Sequence, residues 1–335
     1  MKKTLIALAV AAATTTPFVA NAAAPTVSGF ADINYTLIDD TRENPVTDIN
    51  DKENQFAADG EIDFAGNLAS NVRVQADIDL STTTGSFDSA EIEQAFFETD
   101  ISNNIGIIGG VFNNPIGWEA EDRPNMYQTS HNFSYDILNS QTALRGNNVT
   151  GVGVTGKFST VSVTAAVLND IQEVPEENSI AVAVGINPMP ELAIEIGFIT
   201  QDNDGLYCNN FVVIAGIPYG INDCNFGMGN IIDANVTYKL PNGMTVAGEF
   251  LTASELVDYS AMAMLNMPIP ETSMSVTLRG ESLSLDGDDN DTTALTLAGV
   301  YTMNKALSFA TEAKYIDGDF NDGDMQVGLE AIASF

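Results

Sequence analysis

The sequence predicts an all-β fold, a 16-stranded antiparallel transmembrane β-barrel over residues 23–335, behind a cleavable export signal at 1–22. Three observations point to it. The chain after the signal is a succession of segments in which apolar and polar residues alternate with period 2. Most of these segments are about 9–11 residues long, the length that crosses a bilayer when tilted. The connections between them alternate between short and long.

Residues 1–22 are read as a signal peptide. Lys2 and Lys3 form a positive start, Leu5 to Ala13 is an apolar stretch, and Ala20-Asn21-Ala22 fits the small-x-small cleavage rule. Cleavage after Ala24 is the alternative. Without Lys2 and Lys3, 10 basic residues face 46 acidic ones, a mature charge of about −36. No Cys stands at the cleavage site, so lipid anchoring is not expected. No later apolar run approaches the roughly 20 residues of a membrane helix; Phe211 to Ile217 is the best and is far shorter.

Strands are expected near 28–38, 55–65, 71–80, 90–99, 105–113, 142–157, 161–169, 178–186, 191–200, 230–239, 244–253, 258–267, 272–283, 292–302, 306–316 and 324–335. The segment from Asn71 to Leu80 shows why. Val72, Val74, Ala76, Ile78 and Leu80 fall on one face, and Arg73, Gln75, Asp77 and Asp79 fall on the other. The longest connections are 39–54, 114–141 and 201–229. An even count puts both termini on the periplasmic side, and counts of 14 or 18 remain open. In the last strand Met325, Val327, Leu329, Ala331, Ala333 and Phe335 share one parity.

Composition excludes several functions. The full chain carries 12 Lys and Arg against 46 Asp and Glu, a formal charge of −34, which argues against a nucleic-acid partner. One His removes any site needing two imidazoles. That residue, His131, sits in a polar loop with no nucleophile elbow around it, and no phosphate loop or dinucleotide fingerprint occurs. No enzymatic activity, no cofactor and no metal-ligand set is expected. The acidic runs near Asp202, Asp286 and Asp317 lack EF-hand spacing and read as solvated loop tips. Cys208 and Cys224, 16 positions apart in one long connection, are the candidate disulfide of an exported chain. Such a bridge would restrict the unfolded loop by roughly 3 kcal/mol in the chain-entropy model.

The C-terminal strand, ending in Phe335 on its apolar face, resembles that of Gram-negative outer-membrane barrels, where it acts as the assembly signal. The stretch Gly109-Gly110-Val111-Phe112-Asn113-Asn114-Pro115-Ile116-Gly117-Trp118-Glu119 resembles the strand-and-loop segment of the β-barrel porin family, and Asn132-Phe133-Ser134-Tyr135 resembles a later stretch of the same loop in that family. Export, barrel and last strand are also similar to the general porins. The resemblance implies a water-filled channel for small hydrophilic solutes. It also implies a position in the outer membrane of a Gram-negative bacterium, in contact with lipid and lipopolysaccharide, and assembly as a homotrimer.

On the polar parity stand Asp32, Asp59, Glu61, Asp63, Asp77, Asp79, Glu195, Asp233, Glu249 and Glu330, with Arg73, Lys239, Arg279 and Lys314. That acidic wall is expected to favour cations. In the general porins the third loop narrows the barrel, so 114–141 is the candidate constriction here, with Glu119, Glu121, Asp122 and Arg123 on the loop and Arg73 and Asp77 on the wall. An acidic loop opposite Arg73 would set a transverse field across the pore. A surface cap outside the barrel is the alternative place for the loop. Trp118, the only Trp, is expected either to anchor the loop or to join a headgroup girdle. A barrel-scaffold adhesin and a structural barrel with a filled lumen are the alternative functions.

Overall fold

The computed structural model describes residues 24–39, 52–83, 86–119, 122–141, 147–171, 177–201, 211–214, 217–220, 229–255, 257–285, 291–318 and 321–335. The strands are β1 Thr26–Asp39, β2 Lys52–Ala69, β3 Val72–Thr83, β4 Ser86–Asp100, β5 Ile105–Asn113, β6 Asn148–Phe158, β7 Val161–Asn169, β8 Asn178–Met189 and β9 Leu192–Ile199. They continue as β10 Phe211–Ile214, β11 Ile217–Gly220, β12 Ile231–Lys239, β13 Thr245–Ala253, β14 Val257–Pro268, β15 Met274–Leu285, β16 Asp291–Asn304, β17 Leu307–Gly318 and β18 Asn321–Ser334. Sixteen of them close into one antiparallel barrel in chain order, with β9 beside β12 and β18 back against β1. The remaining two, β10 and β11, pair as a separate hairpin in the connection between β9 and β12. The expected export signal and both cysteines of the candidate disulfide lie outside the described residues.

All sixteen expected segments are barrel strands. One expected boundary is corrected: the segment placed at 142–157 begins at Asn148, and Phe133–Gln141 before it forms a helix, α1. The hairpin within 201–229 is a second element, in a stretch where the period-2 pattern predicts only loop.

Side-chain parity divides the sheet as the alternation requires. Ile33, Ile92, Val152, Ile180, Ile196, Ile232, Leu295 and Leu329 are exposed on the outer face. The register pairs Asp32 with Asp59, Asp63 with Asp77 and Glu61 with Asp79, so their side chains share the inner face. Phe97, Phe158, Tyr238, Phe250, Tyr301 and Tyr315 stand outward toward strand ends, where headgroup girdles belong. Phe112, near the end of β5, instead faces inward and is buried.

One inner residue escapes simple alternation. The register of β3 and β4 shifts between Asp77 and Ile78, pairing them with Gln94 and Ile92 respectively. The extra residue of this β-bulge is Glu93, and it is buried beside Gln94. Strict alternation would place only one of the two inward.

The inner wall has an apolar sector as well. Ala166, Leu168, Ala181, Ile199, Ile231, Leu251, Leu283 and Ile316 form a buried cluster with Phe133, Ile137 and Leu138 of α1. Much of it sits toward the strand ends that carry the long connections. Burying each large side chain of the helix contributes about 1.5–3 kcal/mol, enough to hold a nine-residue helix that would not persist alone.

The barrel closes at Phe335, whose N–H donates to the Gly29 carbonyl at 3.0 Å and whose carbonyl accepts from the Gly29 N–H at 3.3 Å. Its ring is exposed on the outer face. Deleting Phe335 removes both seam bonds and one lipid-facing ring. The expected result is a large fall in surface-assembled protein, measured as the heat-shifted band on electrophoresis of outer-membrane fractions. Wild-type yield after the deletion would refute the closing role.

Candidate functional site

The connection from β5 to β6 folds into the barrel. It leaves β5 through Asn114, whose N–H donates to the Asn147 carbonyl at 2.9 Å, pinning the two ends of the loop together. Gly117, with φ of 106°, turns the chain inward at a conformation that L side chains rarely adopt. Ile116 then fills the space above Gly197, where a Cβ would overlap it. The expectation that Trp118 anchors the loop holds: its indole Nε1 donates to Thr237 Oγ1 at 2.8 Å, its backbone N–H donates to Glu249 Oε1 at 2.8 Å, and its ring stacks on Tyr127.

Arg279 is the main anchor, fully buried on β15 under the returning limb of the loop. Its Nε donates to Glu281 Oε2 at 2.8 Å, and one terminal nitrogen donates to Glu119 Oε1 at 3.2 Å and to the Ser130 carbonyl at 3.0 Å. The other donates to Ser130 Oγ at 3.1 Å and to the His131 carbonyl at 2.9 Å. A guanidinium can use five donors in a rigid fork, and all are engaged here. Lys314 joins from β17, 3.7 Å from Glu281, 3.4 Å from the His131 carbonyl and 4.9 Å from the centre of the Phe133 ring.

Wall carboxylates take up the loop's free backbone donors. Glu312 Oε2 accepts from the N–H groups of Thr129 and Ser130 and Glu281 Oε1 from that of Phe133, while Glu249 Oε2 accepts from the side-chain amide Asn132 Nδ2. The Phe133 bond satisfies one of the orphan donors at the start of α1. Ser134 Oγ lies 2.9 Å from Ser260 Oγ.

Burial pushes the Glu119 carboxyl up, but the His131 hydrogen bond and the Arg279 charge outweigh it and hold Glu119 below the usual carboxylate range. Glu119 is therefore an ionised strut within the loop's attachment. Burial raises Asp136 on α1 and Asp122 at the loop's single 3₁₀ turn, Arg123–Asn125.

That turn is the loop's tip, and it reaches the far wall. Arg123 Nε lies 3.7 Å from Glu330 Oε1 on β18. Carboxylate oxygens of Asp122, Glu61 on β2 and Glu93 on β4 lie within 4.8 Å of one another. The loop thus spans from the Arg279 anchor to the acidic strands β2–β4.

The candidate residues separate accordingly. Glu119, Asp122 and Arg123 are inside the barrel, and Glu121 is outside the described residues. Asp77 is buried on the acidic wall, where Oδ2 accepts from Gln75 Nε2 at 2.7 Å. Arg73 is bound elsewhere: NH1 pairs with Glu98 at 3.1 Å and NH2 with Gln75. The expected field between an acidic loop and a basic wall is corrected by this arrangement, because the loop tip meets acids and the buried bases lie beneath the loop. Glu93, Glu281 and Glu312 were missing from the sequence-derived set. Glu281 and Glu312 follow the same parity as Arg279 and Lys314 and could have been found that way; Glu93 needed the bulge.

Residues 7–321 match the Gram-negative porin family. The chain belongs to that family. Membership makes it an outer-membrane channel protein, and the closed sixteen-strand barrel is the matching architecture. No curated protein matches it. Among solved structures, the anion-selective porin of Comamonas acidovorans is similar at a TM-score of 0.67 and 10% identity, covering 94% of this chain and 100% of that one. The outer-membrane channel DcaP of Acinetobacter baumannii is similar at a TM-score of 0.62 and 14% identity, covering 94% and 98%. OmpF of Salmonella typhi, solved with daunomycin, is similar at a TM-score of 0.67 and 10% identity, covering 93% and 97%.

Two substitutions test how the porin loop is held. Arg279→Met takes the guanidinium from Glu119 and leaves Glu281 with Lys314 alone, which should destabilise the loop by about 3–5 kcal/mol. Gly197→Val forces Ile116 out of its seat. Both should shift the fluorescence of Trp118 to the red and change single-channel conductance, whereas the outward substitution Ile196→Val should do neither. Wild-type emission and conductance in both variants would mean that these contacts do not position the loop.

Proposed function

We propose that this porin is a passive diffusion channel for small hydrophilic solutes, that loop 114–147 constricts it, and that it prefers cations. The observation that carries the reading is the distribution of charge on the inner face. Acids there outnumber bases, and the buried bases Arg279 and Lys314 are engaged by the loop and by Glu281. The strands β2–β4 carry Asp59, Glu61, Asp63, Asp77, Asp79, Glu91 and Glu93 inward. Among the described inward bases of those three strands, Arg73 stands alone and is paired with Glu98. Carboxylates lining a narrow aqueous passage concentrate cations and repel anions. The Comamonas porin is anion-selective on the same fold, so the fold leaves the sign of selectivity to the side chains.

Glu119, Asp122 and Arg123 act here at the constriction, with Asp77 on the facing wall. Glu119 works chiefly by holding the loop. Glu121, the Cys208–Cys224 disulfide, the homotrimer, and contact with lipid and lipopolysaccharide complete the proposal as expectations from family likeness and sequence.

The test is the reversal potential of the purified protein in a planar bilayer under a KCl gradient. Its sign should be that of a K⁺-preferring pore, and the preference should weaken as salt shortens the screening length to about 10 Å at 0.1 M and below. Asp59→Asn combined with Asp79→Asn should move the potential toward zero. Asp291→Asn combined with Asp317→Asn, outward residues near the rim, should move it much less. Anion preference in the wild type, equal shifts in the two variants, or no conductance at all would overturn the reading.

A further inference from the structure

Carboxylates crowd together where the loop tip meets the wall. Oxygens of Glu61, Asp63 and Asp77 lie within 4.8 Å of one another, as do those of Glu61, Glu93 and Asp122, so Glu61 belongs to both groups. Like charges at such spacing repel strongly away from bulk water. Among the described residues, none of these carboxylates is in an ion pair: Arg73 pairs with Glu98, Arg123 lies beside Glu330, and Arg279 and Lys314 are bound beneath the loop.

A second observation is independent of the clustering. Asp77 is 1% exposed; its Oδ2 accepts from Gln75, and its Oδ1 is buried with no hydrogen-bond partner. Asp63 repeats the pattern. Its Oδ2 accepts from Ser28 Oγ at 2.9 Å, and its Oδ1 is buried without a partner. Each Asp is oriented by one neutral donor and keeps one buried oxygen without a hydrogen-bond partner, and both belong to the group with Glu61. Unsatisfied buried carboxylate oxygens are rare because they forfeit solvation without compensation.

We propose that this cluster is a divalent-cation site. Glu61, Asp63 and Asp77 hold the ion from the barrel wall, and Asp122, closing on Glu61 beside Glu93, clamps the loop tip to that wall. Hard carboxylate oxygens suit Ca²⁺ or Mg²⁺, and ligands on a shared Ca²⁺ at about 2.4 Å lie no more than about 4.8 Å apart. The bound ion reduces the negative charge beside the passage, so divalent cations at the membrane surface tune the channel. This last consequence rests on the cation-preferring reading above; the site itself does not.

The experiment is equilibrium dialysis of the folded, detergent-solubilised porin with radiolabelled Ca²⁺, followed by bilayer recordings with and without Ca²⁺. Wild type should bind Ca²⁺ saturably. Asp77→Asn and Glu61→Gln should each weaken that binding about tenfold or more, since the number of carboxylates sets such affinities over several decades. The pair Asp291→Asn with Asp317→Asn should bind as wild type, and each variant must show the heat-shifted band of an intact barrel. A misfolded Asp77 variant leaves Asp63→Asn as the second test of the same site. In the bilayer, Ca²⁺ should lower K⁺ preference in wild type and have little effect in Asp77→Asn. Equal binding in wild type and the wall variants, or none in wild type, would overturn the site. Binding lost as expected but with no change in selectivity would retain the site and refute its tuning of the channel.

Discussion

The loop inside the barrel depends on one buried cation. Arg279 sits at the centre of an acidic cage made by Glu119 and Glu281, and it also holds the backbone of Ser130 and His131. A guanidinium so completely removed from water is tolerable only if every donor is satisfied and its charge is matched. The loop supplies much of that match. Removing the loop would leave Arg279 with Glu281 alone among these partners, and removing Arg279 would take the guanidinium from Glu119, so each fixes the other. The apolar contact of α1 with the inner wall supplies stability, while the Arg279 bonds set the position.

That arrangement determines which charges remain available to solutes. By consuming Arg279 and Lys314 at the anchor, the loop removes positive charge from the inner face and leaves β2–β4 as a sector of carboxylates. The tip then carries Asp122 against that sector. A sixteen-strand barrel can carry either sign of selectivity, and the proposed cation preference rests on which charges the loop covers. The same geometry creates the crowded carboxylates at Glu61, the proposed cation site, which form no ion pair among the described residues.

The barrel was legible because its physics is local and repetitive. A period-2 pattern in segments such as Asn71 to Leu80 gives the face of every residue, and parity alone placed Asp77, Glu249 and Arg279 inside. Phe335 was legible for the same reason. Features that depend on neighbours across the fold could not be read. Residues 133–141 lack a strong helical apolar stripe because the helix packs against a wall and a loop at once. Arg73 was expected to face the loop, yet cross-strand pairing with Glu98 fixes it elsewhere. Glu93 points inward only because a bulge breaks the alternation. The ligand cluster around Glu61 draws on β2, β3, β4 and the loop, so no linear spacing could display it.

The central claim is that the loop lies inside the barrel on this wall while the channel stays open. Ser134→Cys with Ser260→Cys tests it most directly, because the two hydroxyl oxygens are 2.9 Å apart and one lies on the loop's helix, the other on β14. Mild oxidation should join these positions in nearly every chain, identified by mass spectrometry of the linked peptides, and the cross-linked porin should conduct with wild-type ion preference. Unlinked thiols in an intact barrel, or a cross-link that abolishes conductance, would contradict the account.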